Sequence, residues 1–182
     1  GELMFLSAIL DAGVPAATAL EAWVGPMNRL QDFELGSGAV EVKSTLAQMG
    51  FPAYIGSLEQ LDDALRQPLV VAAVRLRLSP AGRTLPRIAA DLSERLGHDP
   101  AVRHQLEDRL TAAGLLQSHN ELYNRAFELS ELRMMTVSED FPRLLRSTVP
   151  PGVIRATYEI DLERVPQDRD GVAGALRRTG VI

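Results

Sequence analysis

The chain has no cysteine, and it has only one lysine, Lys43, against eighteen arginines. Without cysteine neither a disulfide framework nor a thiolate metal site can form, which fits a cytoplasmic protein. Long apolar runs are also missing. The longest, PLVVAAV, is the length of a buried strand and well short of the roughly 18 residues a membrane helix needs, so no membrane partner is expected. There is no G-x-S-x-G elbow, no P-loop and no dinucleotide fingerprint, which leaves the chain without the usual means of driving translocation. The three histidines, His98, His104 and His119, lack zinc-ligand spacing and read as surface or core residues. The opening segment GELMFLSAIL has an acid where a signal peptide needs basic residues. It also starts without Met inside an amphipathic pattern, so the expectation is a fragment whose upstream part is missing.

What is present describes an ordinary globular protein. With 182 residues, 46% hydrophobic and 24% charged, the chain is large enough for one substantial core with an elaboration. A net charge of −5 argues against a protein that coats nucleic acid. Yet no acid lies between Asp63 and Asp91, where Arg66, Arg75, Arg77, Arg83 and Arg87 fall. This run is either a solvated face or a phosphate-contact surface, and Arg75 and Arg77, two apart on one strand, are its candidates for holding a nucleic-acid backbone.

Hydrophobic spacing predicts a helix over GELMFLSAILDAG that stops near Gly13. QDFEL and AVEVKST alternate on either side of Gly36-Ser37-Gly38, which predicts a β-hairpin. PAYIG reads as a short strand. SLEQLDDAL has Ser57 followed three residues later by Gln60, the capping-box pattern of a helix start. PLVVAAVRLRLS is a long strand. TLPRIAADLSERLG and DPAVRHQLEDRLTAAG read as two amphipathic helices, followed by extended AFELSELRMMTV and a further strand over GVIRATYEIDLERV. The tail PQDRDGVAGALRRTGVI is a short helix or a frayed end. The expected organisation is one α/β domain over 1–182, with 84–137 as a helical, winged-helix-like elaboration. Its second helix carries Asp99, Arg103, Glu107, Asp108 and Arg109, not the basic face a DNA-reading helix requires.

The candidate chemistry lies in the hairpin. Strand residues two apart share a face, so Glu41 and Lys43 point one way while Val40 and Val42 point the other. Across the turn, Asp32 begins the partner strand and is placed to approach Glu41. Two carboxylates with one ammonium suit a hard divalent cation that keeps several waters, and the lysine can orient or deprotonate one of those waters or stabilise a phosphate transition state. Arginine cannot replace it as a proton acceptor, because its pKa stays above about 12. The alternative is a solvent-facing strand with a same-face ion pair, which contributes under about 1 kcal/mol.

QDFELGSGAVEVKST resembles the core motif of the PD-(D/E)XK nuclease superfamily, in which an Asp opens one strand and Glu-x-Lys lies on the next. With GELMFL, EAWVGP and SLEQLD in the same order, the chain is similar to a poorly characterised bacterial family of PD-(D/E)XK members. The resemblance implies a restriction-endonuclease-like core, a mixed β-sheet flanked by helices with a helical insertion. It implies Asp32 and Glu41 as ligands of Mg²⁺, with Mn²⁺ as a substitute, and the Val42 carbonyl as a third. Lys43 would be the catalytic lysine, and Glu2 matches an acid that many members carry on the first helix. Gln60 lies where related nucleases sometimes place an active-site Gln. The implied activity is endonucleolytic cleavage of DNA to 5′-phosphate products in restriction-like defence or DNA processing. The assemblies considered are a homodimer and a subunit of a larger complex. The alternative is a noncatalytic DNA- or protein-binding module on a nuclease-like scaffold.

Overall fold

A computed structural model describes residues 1–97 and 99–182. In chain order the elements are α1 (Glu2–Asp11), α2 (Ala16–Ala22), β1 (Phe33–Leu35), β2 (Gly38–Thr45), β3 (Pro52–Ile55) and β4 (Leu69–Thr84). Next come α3 (Leu85–Arg95), α4 (Pro100–Ala112), β5 (Ala126–Thr136), β6 (Tyr158–Asp161) and α5 (Gly171–Thr179).

The main sheet has the order β1-β2-β4-β5. β1 and β2 form the expected antiparallel hairpin, β2 runs parallel to β4, and β5 pairs antiparallel to β4. The sheet is therefore mixed, and helices flank it. Apolar residues fill both of its faces. Val70, Ala72 and Val74 meet Phe5, Leu6, Ile9 and Leu20 of α1 and α2, together with residues of α3, α4 and α5. On the opposite face Leu69, Val71 and Ala73 meet Phe51, Ala53 and Ile55, where β3 and β6 make a second, two-stranded sheet. This double burial explains the continuous apolar run in β4.

Two expectations need correction. The capping-box helix over 57–65 does not form, and the segment is irregular. The Gln60 side chain is committed elsewhere instead of folding back on Ser57. Leu58 and Leu61 are buried, and Arg143 holds the Leu61 carbonyl and Asp63, each at 2.7 Å. A stretch this short has little helical stability of its own, so tertiary anchors decide its shape. Of the strand expected over 152–165, only β6 forms, followed by a 3-10 turn at Leu162–Arg164.

The stretch 84–137 is built into the main sheet and its core. β5 within it is a strand of the main sheet, and Ile88, Leu92, Val102 and Leu106 of the two helices join the core that α1 occupies. The helical insertion is thus the α3–α4 pair between two adjacent strands. The β4–β5 ribbon also runs on past Ser79 to Thr84, through a register shift between Leu78 and Arg83. Among the described residues, no helix is long and apolar enough to cross a membrane.

Candidate active site

The hairpin places the first two acids. Asp32 stands just before β1, where its carbonyl accepts hydrogen bonds from the Val24 and Gly25 amides at 2.8 and 2.9 Å. Its side chain turns towards β2, and Oδ2 accepts from the Val42 amide at 2.8 Å. Backbone N–H and C=O of one strand residue point to the same edge. The Val42 carbonyl therefore faces away from β4, on the side of Asp32.

Glu41 and Lys43 project together from β2, on the face that also carries Ala39. Lys43 Nζ lies 2.9 Å from Glu41 Oε1, and both side chains are nearly enclosed. Gln60 links them. Its Nε2 donates to Glu41 Oε1 at 2.7 Å, and its Oε1 accepts from Lys43 Nζ at 3.0 Å and from the Gly56 amide at 2.9 Å. The irregular loop is what brings Gln60 here; a helix over 57–65 would have used this side chain at its own N-terminus. Lys43 has three N–H donors, and two are occupied by Glu41 and Gln60.

Glu2, in the first turn of α1, closes the group. Its Oε2 accepts from the Trp23 indole at 2.6 Å. A Cβ on Gly25 would lie 2.8 Å from both Asp32 Oδ1 and Glu2 Oε2, so these oxygens are no more than twice that distance apart. Gly25 is a site residue that sequence reasoning passed over. Any side chain there would wedge between the two acids.

Crowded, buried carboxylates resist ionisation. Burial, and then the charge on Glu2, push Asp32 up to about 6, against the Val42 amide and Lys43. Burial and then Asp32 push Glu41 to about 8, outweighing Lys43. Glu41 Oε2 is buried and has no hydrogen-bond partner among the described residues. An unpartnered buried carboxylate oxygen costs stability unless something binds it.

A family model described as "Putative PD-(D/E)XK family member, (DUF4420)" matches residues 1–163, from α1 through β6. The chain belongs to this family. No curated protein and no solved structure matches it. Within the matched stretch the structure brings Asp32, Glu41 and Lys43 together with Glu2, Val42 and Gln60.

Arg75 and Arg77 are not part of this group. Arg75 stacks on Phe51 and donates to the carbonyls of Ala47 and Gly50, and to Glu131 and Glu163 at 3.1 and 2.8 Å. It ties β4 to the second sheet and is only 14% exposed. Arg77 is exposed but paired with Glu128. Trp23, Met134 and Met135 are core residues. His104 and His119 are exposed, and His98 lies outside the described residues.

Among the described residues, no three His, Cys, Asp or Glu side chains are grouped as a metal centre. The oxygen donors nevertheless suit a hard divalent cation. Asp32 Oδ1 and Glu41 Oε2 make no hydrogen bond among the described residues. The Val42 carbonyl faces the same side, and hard cations take carboxylate, carbonyl and water oxygens.

Proposed function

We propose that the chain is a divalent-metal-dependent endonuclease that hydrolyses DNA phosphodiester bonds, working in the cytoplasm in restriction-like defence or DNA processing. The observation that carries this reading is the unpartnered Glu41 Oε2, buried beside Asp32 on a carboxylate whose other oxygen, Oε1, lies 2.9 Å from the single lysine. Asp32, Glu41 and the Val42 carbonyl would hold Mg²⁺, or Mn²⁺ in its place. When bound, such a cation supplies Lewis-acid polarisation of phosphoryl oxygens and lowers the pKa of water.

The residues supply the rest. Gln60 and Glu41 fix the Lys43 ammonium and leave one N–H for the incoming water or a phosphate oxygen. Water would lose a proton to solvent as its oxygen bonds to phosphorus, and the bond to the 3′-oxygen would break with that oxygen taking a proton, leaving a 3′-hydroxyl and a 5′-phosphate. Glu2 adds a second carboxyl beside Asp32, which would favour a cation there.

Supercoiled plasmid incubated with Mg²⁺ or Mn²⁺ should be nicked by the wild type. Lys43→Ala should lose at least about a hundredfold of that rate, the scale of losing one fixed donor aimed at developing charge. Chelator should abolish it. Cleavage that survives Lys43→Ala would place the activity elsewhere. A scaffold without a functional site would show the same Mn²⁺-induced melting shift before and after Asp32→Asn.

A further inference from the structure

Beside the catalytic hairpin lies a cavity of about 590 Å³ walled by Asn28, Arg29, Gln31, Glu34, Leu65 and Arg66. The register fixes its place. Glu34 sits opposite Ala39, which is two residues from Glu41 on the same face of the sheet. Diagonal cross-strand neighbours of this kind lie about 7–8 Å apart, the scale of neighbouring phosphates on one strand. The wall joins the site at two further points. Gln31 precedes Asp32, is only 7% exposed, and donates to the Gln60 carbonyl at 3.4 Å.

Two guanidiniums share one carboxylate here. Arg29 donates to Glu34 Oε1 through Nε and Nη2, at 3.1 and 3.0 Å, and Arg66 donates through Nη2 to Glu34 Oε2. Arg66 Nη1 reaches the Gly36 carbonyl. One positive charge is left in excess. Arg29 Nη1 and Arg66 Nε make no hydrogen bond among the described residues. The two side chains are 59% and 34% exposed, unlike the enclosed Arg75 at 14%. Leu65, 83% exposed, and Leu30, 38% exposed, add an apolar surface next to these charges.

We propose that this cavity holds the DNA nucleotide next to the scissile phosphate. Arg29 and Arg66 bind its phosphate, and Leu30 and Leu65 lie against its sugar and base. Forked guanidiniums match a phosphate as well as a carboxylate, so Glu34 holds the pair in place until the phosphate arrives. This rests on the nuclease reading above and adds where the strand runs.

The test uses labelled duplex DNA with Mg²⁺ in a Lys43→Ala background, with affinity measured across a salt series. Adding Arg29→Ala and Arg66→Ala should weaken binding about tenfold or more. It should also reduce the slope of log affinity against log salt by roughly 1, since each phosphate contact contributes about 0.9. Adding Glu34→Gln instead should tighten binding, because the competing carboxylate charge is gone; a merely structural ion pair would give no gain. If the arginine pair melts early, Arg29→Lys with Arg66→Lys takes its place and should lose part of the affinity.

An unchanged affinity and slope in the arginine variants, or weaker binding by Glu34→Gln, overturns the subsite. Plasmid nicking by Arg29→Ala/Arg66→Ala at the wild-type rate would sink the subsite and leave the nuclease standing. Absence of both binding and nicking in every chain would remove both.

Discussion

Glu41 carries the clearest consequence at the scale of single residues. Its carboxyl rises from an ordinary 4.5 to about 8 on folding. The folded state therefore binds more protons than the unfolded state between those limits, and stability falls as pH rises through them. Below about 4.5 the carboxyl is neutral in both states and the cost vanishes. Glu41→Gln removes that cost, so without metal its melting temperature should gain on the wild type as pH goes from about 5 to 8. A gap that stays constant with pH would show that Glu41 is not held neutral. Added Mg²⁺ should restore the wild type most at the alkaline end, because ligands bind deprotonated. The pairing of Glu41 with Lys43 was legible in the sequence, because a period of two leaves no choice of face. Gln60 was visible only as a residue with two readings. Gly25 was not visible as a site residue, since what requires it is two carboxylates supplied by α1 and by the start of the hairpin.

At the scale of elements, the irregular loop over 57–66 does what a helix was expected to do there. It is held from outside by Arg143, whose side chain is 9% exposed and donates to the Leu61 carbonyl and to Asp63. Arg143→Ala leaves both acceptors without that partner. It should cost about 1.5–3 kcal/mol, the worth of charge-assisted hydrogen bonds, measured by denaturant titration. It should also slow any cleavage, because Gln60 would lose its support; full stability and full rate together would refute this. The hairpin, β4 and both helices of the insertion were readable from periodicity, turn residues and terminal glycines. The loop was not, because Arg143 lies some eighty residues downstream and local propensity carries no trace of it. The charge run between Asp63 and Asp91 could not show which of its arginines are neutralised, for a similar reason. The acids that neutralise Arg75 and Arg77 come from β5 and the turn after β6, far away in sequence.

At the scale of the whole molecule, α5 reaches back to the hairpin of β1 and β2. The Ser37 amide donates to the Thr179 carbonyl at 3.0 Å, and a Cβ on Gly36, whose φ is +54°, would lie 2.0 Å from that oxygen. Ala175 and Leu176 bury in the helical core. Gly36→Ala therefore meets both a left-handed backbone and a main-chain clash, and should lose at least about 2 kcal/mol. A melting temperature within a degree of wild type would mean that the turn and α5 do not pack as described. The family match ends at residue 163, before α5 begins, so this support lies outside the matched stretch. A chain growing from the ribosome meets the same contact in time. The hairpin bearing Asp32, Glu41 and Lys43 emerges early, but the residue that braces its turn is made almost 150 positions later. During synthesis the acids are thus present well before the brace that fixes them. In a nascent chain Asp32, Glu41 and Lys43 would take up their final places only after Thr179 has left the ribosome.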